Sequence, residues 1–332
     1  MTRSGQTLCV GAPADALSGI PSGAPETPRP RGFSGSAPSS KPRSARLLLG
    51  CLPLLCLFLS ACTGTQKKID ITKLPPPPSY AELASAYNAR VAPLETLWAR
   101  TNVQVVQRTA RGRETRDQGE GFLQLQRPRR LALQLGKIGE TFFYLGSNET
   151  VYWWFDMLDR DNRRATLGRH EDATPEVIAR FGVPLHPLDL LDVLPVTPLP
   201  EAGGSVAWRA DGRAYRVRIP ARSGEKLLDL HPSTLALMGA AVRARTGELL
   251  LTAEVQGERN VTLPTGLPGP SIPFRYVIDL PGIEAQVRMS VWDPEVRRLA
   301  DLPFDPLALL ERYRIPEWGV TVVTPDDFGA AP

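Results

Sequence analysis

Cysteine is scarce in this 332-residue chain: the four that occur, Cys9, Cys51, Cys56 and Cys62, all lie in the first 62 residues. Beyond Cys62 this excludes a disulfide, a further thiol nucleophile and a thiolate zinc site. Histidine is scarcer still. His170, His186 and His231 stand apart from one another, with no HExxH, GxSxG or glycine-rich phosphate loop around them, so each reads as a surface or turn histidine and neither metal nor cofactor is expected. No apolar run reaches the roughly 20 residues that a transmembrane helix needs. An excess of one charge is also missing where it would matter. The chain has 39 basic and 35 acidic residues, but residues 1–61 hold six of the former and two of the latter, leaving 33 of each. A basic footprint for nucleic acid is therefore absent.

What is present begins with a targeting pattern. Arg43 and Arg46 precede Leu47–Leu59 (LLLGCLPLLCLFL), an apolar run of signal-peptide length interrupted by Pro53,. It ends in Leu59-Ser60-Ala61-Cys62, which resembles the lipobox of bacterial lipoproteins. That resemblance implies cleavage before Cys62 and acylation of its thiol, with residues 1–61 as a signal peptide that has an extended n-region. Thr63, where an aspartate would be a retention signal in enterobacterial systems, points to the periplasmic side of the outer membrane. Residues 62–79 (CTGTQKKIDITKLPPPPS) are polar and then proline-rich, and read as an extended tether,. A single domain is expected over 80–328.

Residues 80–99 carry Leu83, Tyr87, Val91, Leu94 and Leu97 at helical spacing, with Pro93 kinking or dividing the helix,. Most of the rest alternates with period two. Leu123 and Leu125, Leu131 to Leu135, Tyr215 to Ile219, Leu249 to Val255, Phe274 to Leu280 and Ala285 to Val291 all follow this pattern,. Short turns such as Arg245-Thr246-Gly247 and Pro281-Gly282 make the pairing antiparallel. About ten or eleven strands result, with short helices over Thr174–Phe181 and Pro187–Val193. The fold class is α+β, mostly antiparallel β. A sheet of that size must curl, and so few helices cannot fill its dry face, which leaves an apolar trough.

Asp156, Asp159 and Asp161 lie between two strand patterns and read as a solvated hairpin turn, ahead of a calcium site,. Phe142-Phe143-Tyr144 and Tyr152-Trp153-Trp154-Phe155 are apolar on both strand faces, as for strands covered on both sides. Any one of these rings could be ordinary core, but some are expected to line the trough.

The order LETLWA, NVQVVQ, GEGFLQLQRPRRLALQL and ETFFYLGSNETVYWWFD resembles the lipoprotein-sorting carrier and receptor superfamily, LolA/LolB-like, over roughly residues 85–305. The Arg127-Pro128 pair and the Ser147–Thr150 turn match its motifs. The resemblance implies an unclosed half β-barrel, a helical lid and a cavity for acyl chains of lipids or lipoproteins. It assigns lid closure by hydrogen bonding to helix backbone to Arg127. Cys62 places the chain nearer the membrane-anchored receptor than the soluble carrier. The receptor's exposed hydrophobic loop has no clear counterpart, and Phe181–Leu199 is either its substitute or a packed lid. The expected trough residues are Leu133, Leu135, Phe143 and Trp153, the last two subject to a one-residue change of register. A monomeric, non-enzymatic lipoprotein that binds lipid is the leading reading. A structural or partner-binding envelope lipoprotein with a filled core is the alternative.

Overall fold

The computed structural model describes residues 69–108, 112–173 and 186–324, with Asp192 described in backbone only. The proposed signal peptide, Cys62 and the helix expected over Thr174–Phe181 lie outside the described residues.

One sheet of fourteen strands dominates. In chain order they are β1 (Thr96–Arg108), β2 (Glu114–Gln126), β3 (Arg130–Lys137), β4 (Glu140–Ser147), β5 (Val151–Asp156), β6 (Arg164–Arg169), β7 (Ser205–Trp208), β8 (Tyr215–Ala221), β9 (Gly224–Leu230), β10 (Leu237–Ala244), β11 (Leu249–Thr262), β12 (Pro268–Leu280), β13 (Ala285–Glu295) and β14 (Val320–Val323). Spatially, β1 to β6 form one antiparallel meander and β7 to β13 a second. The two meet where β1 pairs with β13, from Trp98↔Glu295 to Gln107↔Ala285. β14 adds in parallel beside β6, and the outer strands β14 and β7 do not pair with each other, so the sheet is unclosed. The strand count exceeds the ten or eleven predicted because β7 and β14 have only four residues each, and β9 (Leu227, Leu228, Leu230) breaks the alternation.

Among the described residues three α-helices accompany the sheet: α1 (Tyr80–Val91), α2 (Pro187–Val193) and α3 (Pro306–Arg312). α1 starts with a capping box, Ser79 Oγ accepting from the Glu82 amide while the Glu82 carboxylate accepts from the Ser79 amide,. The helix predicted to run to residue 99 stops at Val91, and Thr96 opens β1 instead. Pro93 removes a helical donor, and Leu97 and Ala99 are both buried as alternate residues of a paired strand,. The segment expected as a free tether is, in its described part from Ile69 on, laid against the β7–β8 corner.

Two cores result, one on each face of the first meander. On one face Leu83, Tyr87 and Val91 of α1, Leu190, Leu191 and Val193 of α2, and Leu194, Val196 and Leu199 after it pack on inward residues of both meanders. On the other, Tyr144, Trp153, Phe155 and Ala165 pack under Phe304, Leu309 and Ile315 from the C-terminal segment. This second cover explains why β4 and β5 are apolar on both faces. The described part of Phe181–Leu199 is thus packed into the core and offers no exposed apolar loop.

Gly146 shows how tightly the second core is built: a Cβ there would fall inside the Cε2, Cζ2 and Nε1 atoms of the fully buried Trp153. We expect Gly146→Ala to destabilise the domain by about 1–3 kcal/mol through overpacking. Gly282→Ala, where the added carbon meets nothing, should change little. Urea unfolding of the two variants checks this.

Candidate functional site

Where the two meanders meet, inward side chains leave a cavity of about 220 Å³. Val103 and Val105 of β1, Leu133 and Leu135 of β3, Phe143 and Leu145 of β4, and Trp154 of β5 form one wall. Ile278 and Leu280 of β12 with Val287 and Met289 of β13 form the other, and Leu190 of α2 also lines it. Val105, Phe143, Trp154 and Val287 remain half-buried, so apolar surface is left uncovered inside. Gln107, Asp117, Gln118 and Asp156 also border it and are the polar groups of its lining. The volume is below the roughly 300–1,000 Å³ of a drug-sized site.

Three of the four expected trough residues, Leu133, Leu135 and Phe143, line this cavity, and Trp153 does not. The β4–β5 register pairs Leu145 with Trp154 and Gly146 with Trp153, so Trp154 shares the cavity face and Trp153 turns to the second core. Trp154 packs edge-on against Phe143, ring centres 5.4 Å apart. Phe142 lines the cavity too, although it neighbours Phe143 in sequence. The cause is a bulge: Leu135 pairs with Phe143 and Gly136 with Thr141, leaving Phe142 as the extra residue,. Gly119 makes room for it, since a Cβ there would meet Phe142 Cζ at 2.7 Å.

Arg127 is hydrogen bonded to the segment after α1. Its Nη2 donates to the Ala92 carbonyl at 3.0 Å and its amide to the Glu95 carbonyl at 3.0 Å. Asn88 ties α1 to the chain after α2 through both directions of an amide pair with Leu199, at 2.9 and 2.7 Å. The Arg90 guanidinium donates to the Ser271 carbonyl of β12.

The β3–β4 hairpin that supplies Leu135 and Phe143 ends in a feature missed in the sequence. Ile138 and Gly139 form its two-residue turn with φ of 50° and 81°, and Ile138 is completely exposed. Such a turn favours Asn-Gly, whereas a β-branched residue with positive φ is strained, so an isoleucine here is a cue to function. The signal was legible only as an apolar residue in a turn position.

Two of the histidines converge. His186 is fully buried and caps α2, its Nδ1 accepting from the Leu188 amide at 3.0 Å. Its Nε2 must then carry the proton, which points to His170 Nδ1 3.4 Å away; His170 Nε2 in turn donates to the Asn148 carbonyl at 2.8 Å,. The Tyr152 ring lies 4.5 Å from that of His186. Both imidazoles are thereby satisfied in the neutral form. Burial, then Arg222 and His170, push His186 down to about 2. His170 is lowered chiefly by burial, against its bond to Asn148. His231 accepts from the Ser233 and Thr234 amides in a turn. Asp156 and Asp159 accept from the Leu158 and Asp161 amides in the β5–β6 hairpin. Among the described residues no three His, Cys, Asp or Glu side chains gather as a metal site.

A lowered histidine pKa stabilises the fold fully above the unfolded value near 6.5, and this contribution is lost as pH falls below it. His186→Asn keeps a capping acceptor and removes the titration. Between pH 7.5 and 4.5 the natural protein should lose about 2–3 kcal/mol more stability than this variant, measured by urea unfolding at both pH values.

No family model matches the sequence, and no curated protein does. Among solved structures, a LolA superfamily protein from Nitrosomonas europaea matches at 12% identity over 69% of this chain and 98% of its own, TM-score 0.45. A Vibrio parahaemolyticus domain described as an outer membrane lipoprotein-sorting protein matches at 10% identity over 69% and 97%, TM-score 0.46. A DUF1329 family protein from Desulfovibrio piger matches at 10% identity over 69% and 97%, TM-score 0.42. The structural neighbours of this chain thus include a LolA superfamily protein and an outer membrane lipoprotein-sorting domain.

Proposed function

We propose that the chain is an envelope lipoprotein, anchored through acylated Cys62, whose cavity accepts an acyl chain of a lipid or lipoprotein. The observation that carries this reading is the apolar cavity at the seam of the meanders, where Val105, Phe143, Trp154 and Val287 stay only half-buried among buried neighbours. Each methylene buried there contributes about 0.8 kcal/mol, so part of one chain is held firmly enough to stay and loosely enough to leave. α1 and α2 serve as the lid, with Arg127 holding the end of α1 through Ala92. Ile138, at the tip of the hairpin that walls the cavity, offers an apolar contact to whatever surface delivers the chain. Thr63 after the anchor favours the outer membrane. The second reading, an envelope lipoprotein with a filled core and no ligand, is favoured by the cavity's small volume.

The two readings part on the effect of filling the cavity. Under the first, Val105→Phe keeps or raises the melting temperature while cutting the affinity for a fluorescent fatty acid at least about tenfold, as a ring occupies the ligand's space. Under the second, the natural protein binds no probe and the variant melts lower. Native mass spectrometry of the Cys62→Ser protein purified from cells should show bound lipid. The same substitution should leave an uncleaved precursor without metabolic label from fatty acid. Normal processing and labelling would remove Cys62 from the proposal.

A further inference from the structure

The proline-rich segment before α1 is a strap. Trp208, the last residue of β7, donates from Nε1 to the Pro75 carbonyl at 2.8 Å. Gly212, in the turn between β7 and β8, packs so closely under the segment that a Cβ would meet Ile69 Cγ2 at 2.9 Å and Leu74 Cδ1 at 3.1 Å. At the other end Tyr80 Oη donates to the Pro200 carbonyl at 2.7 Å, and its ring fills the space a Cβ on Gly204 would need. Pro75 to Pro78 have φ already fixed, so holding them extended costs little further entropy.

A strap shortens the leash. Cys62 is seven residues before Ile69, which spans at most about 25 Å even if fully extended. A folded domain of this length is about 45 Å across, by the usual scaling of radius with chain length. An anchor at Cys62 therefore turns the β7–β8 corner toward the bilayer. That corner has the chemistry for it: Ile69 and Ile71 are exposed apolar residues, Lys73 is largely exposed, and Arg213 is exposed in the turn beside them. Lys67 and Lys68 stand in the leash, and the acids of the corner are each already paired, Asp70 with Lys73 at 3.6 Å and Asp211 with Arg209 at 2.5 Å. Apolar tips among cations suit the interface of an anionic membrane.

We propose that the Ile69–Lys73 strap and the β7–β8 turn form the face by which the domain rests on its own anchoring membrane, its partner being anionic lipid headgroups. This rests on the reading of Cys62 as the acylated residue. The test uses mature protein purified from membranes, with the mass of the Cys62 peptide measured first, then reconstituted in vesicles of phosphatidylethanolamine and phosphatidylglycerol. A fluorophore is placed on Arg213→Cys or, far along the chain in the β5–β6 hairpin, on Asp161→Cys, both exposed positions, and spin-labelled lipid is added as quencher. The label at 213 should be quenched several-fold more than that at 161, and adding Ile71→Asp with Lys73→Glu should reduce the difference. Equal quenching, or stronger quenching at 161, in protein whose Cys62 carries acyl mass overturns the resting face and leaves the lipoprotein reading intact. An unmodified Cys62 overturns the lipoprotein reading, and the resting face falls with it.

Discussion

The pairing of β1 with β13 is the contact on which the rest of the molecule depends. It joins a meander from the first part of the domain to one from the last, across nearly two hundred residues of chain. Val103 opposite Met289 and Val105 opposite Val287 place a cavity wall from each half side by side. Without that register each meander would present a half-covered apolar face, and α1 would have no common surface to span. Long-range pairing of this kind must offset a large loop-closure entropy before it is rewarded. The reward is the burial of Leu97, Ala99 and Val291 at under 2% exposure along the seam.

The two faces of the first meander are covered by different segments of the chain. The outer rings, Tyr144, Trp153 and Phe155, are closed over by a C-terminal segment that also adds β14 in parallel to β6. The inner face is covered by α1 and α2, tied down by a few polar links: Arg127 to Ala92, Asn88 to Leu199, and the His186 cap of α2. Polar ties of that sort contribute about 1 kcal/mol each and can be exchanged with water. The outer cover is tied likewise, Tyr144 Oη donating to the Pro303 carbonyl at 2.9 Å and Asn148 Nδ2 to the Phe304 carbonyl at 3.2 Å.

Much of this was legible in the sequence, and the misses share a cause. Alternation at Leu131 to Leu135 and Phe274 to Leu280 located strands and their inward faces, because period two leaves little choice once one face is dry. The helix drawn through Leu94 and Leu97 was wrong since both spacings also suit a turn followed by a strand, and only pairing with β2 decides between them. Trp154 took the place expected for Trp153, and Phe142 joined Phe143, because register and bulge are set by the neighbouring strand. His170 and His186 are sixteen residues apart and meet only through the sheet edge and α2. Composition alone marked the proline run as a spacer. Its role depends on Trp208 and Gly212, more than 130 residues away.

An open sheet must also keep its ends from recruiting a neighbour's strand. β7 ends the ladder after four residues. Pro75, the first of four consecutive residues without an amide hydrogen, meets its last residue, Trp208. A chain approaching that corner meets a stretch without amide donors, which cannot continue a ladder.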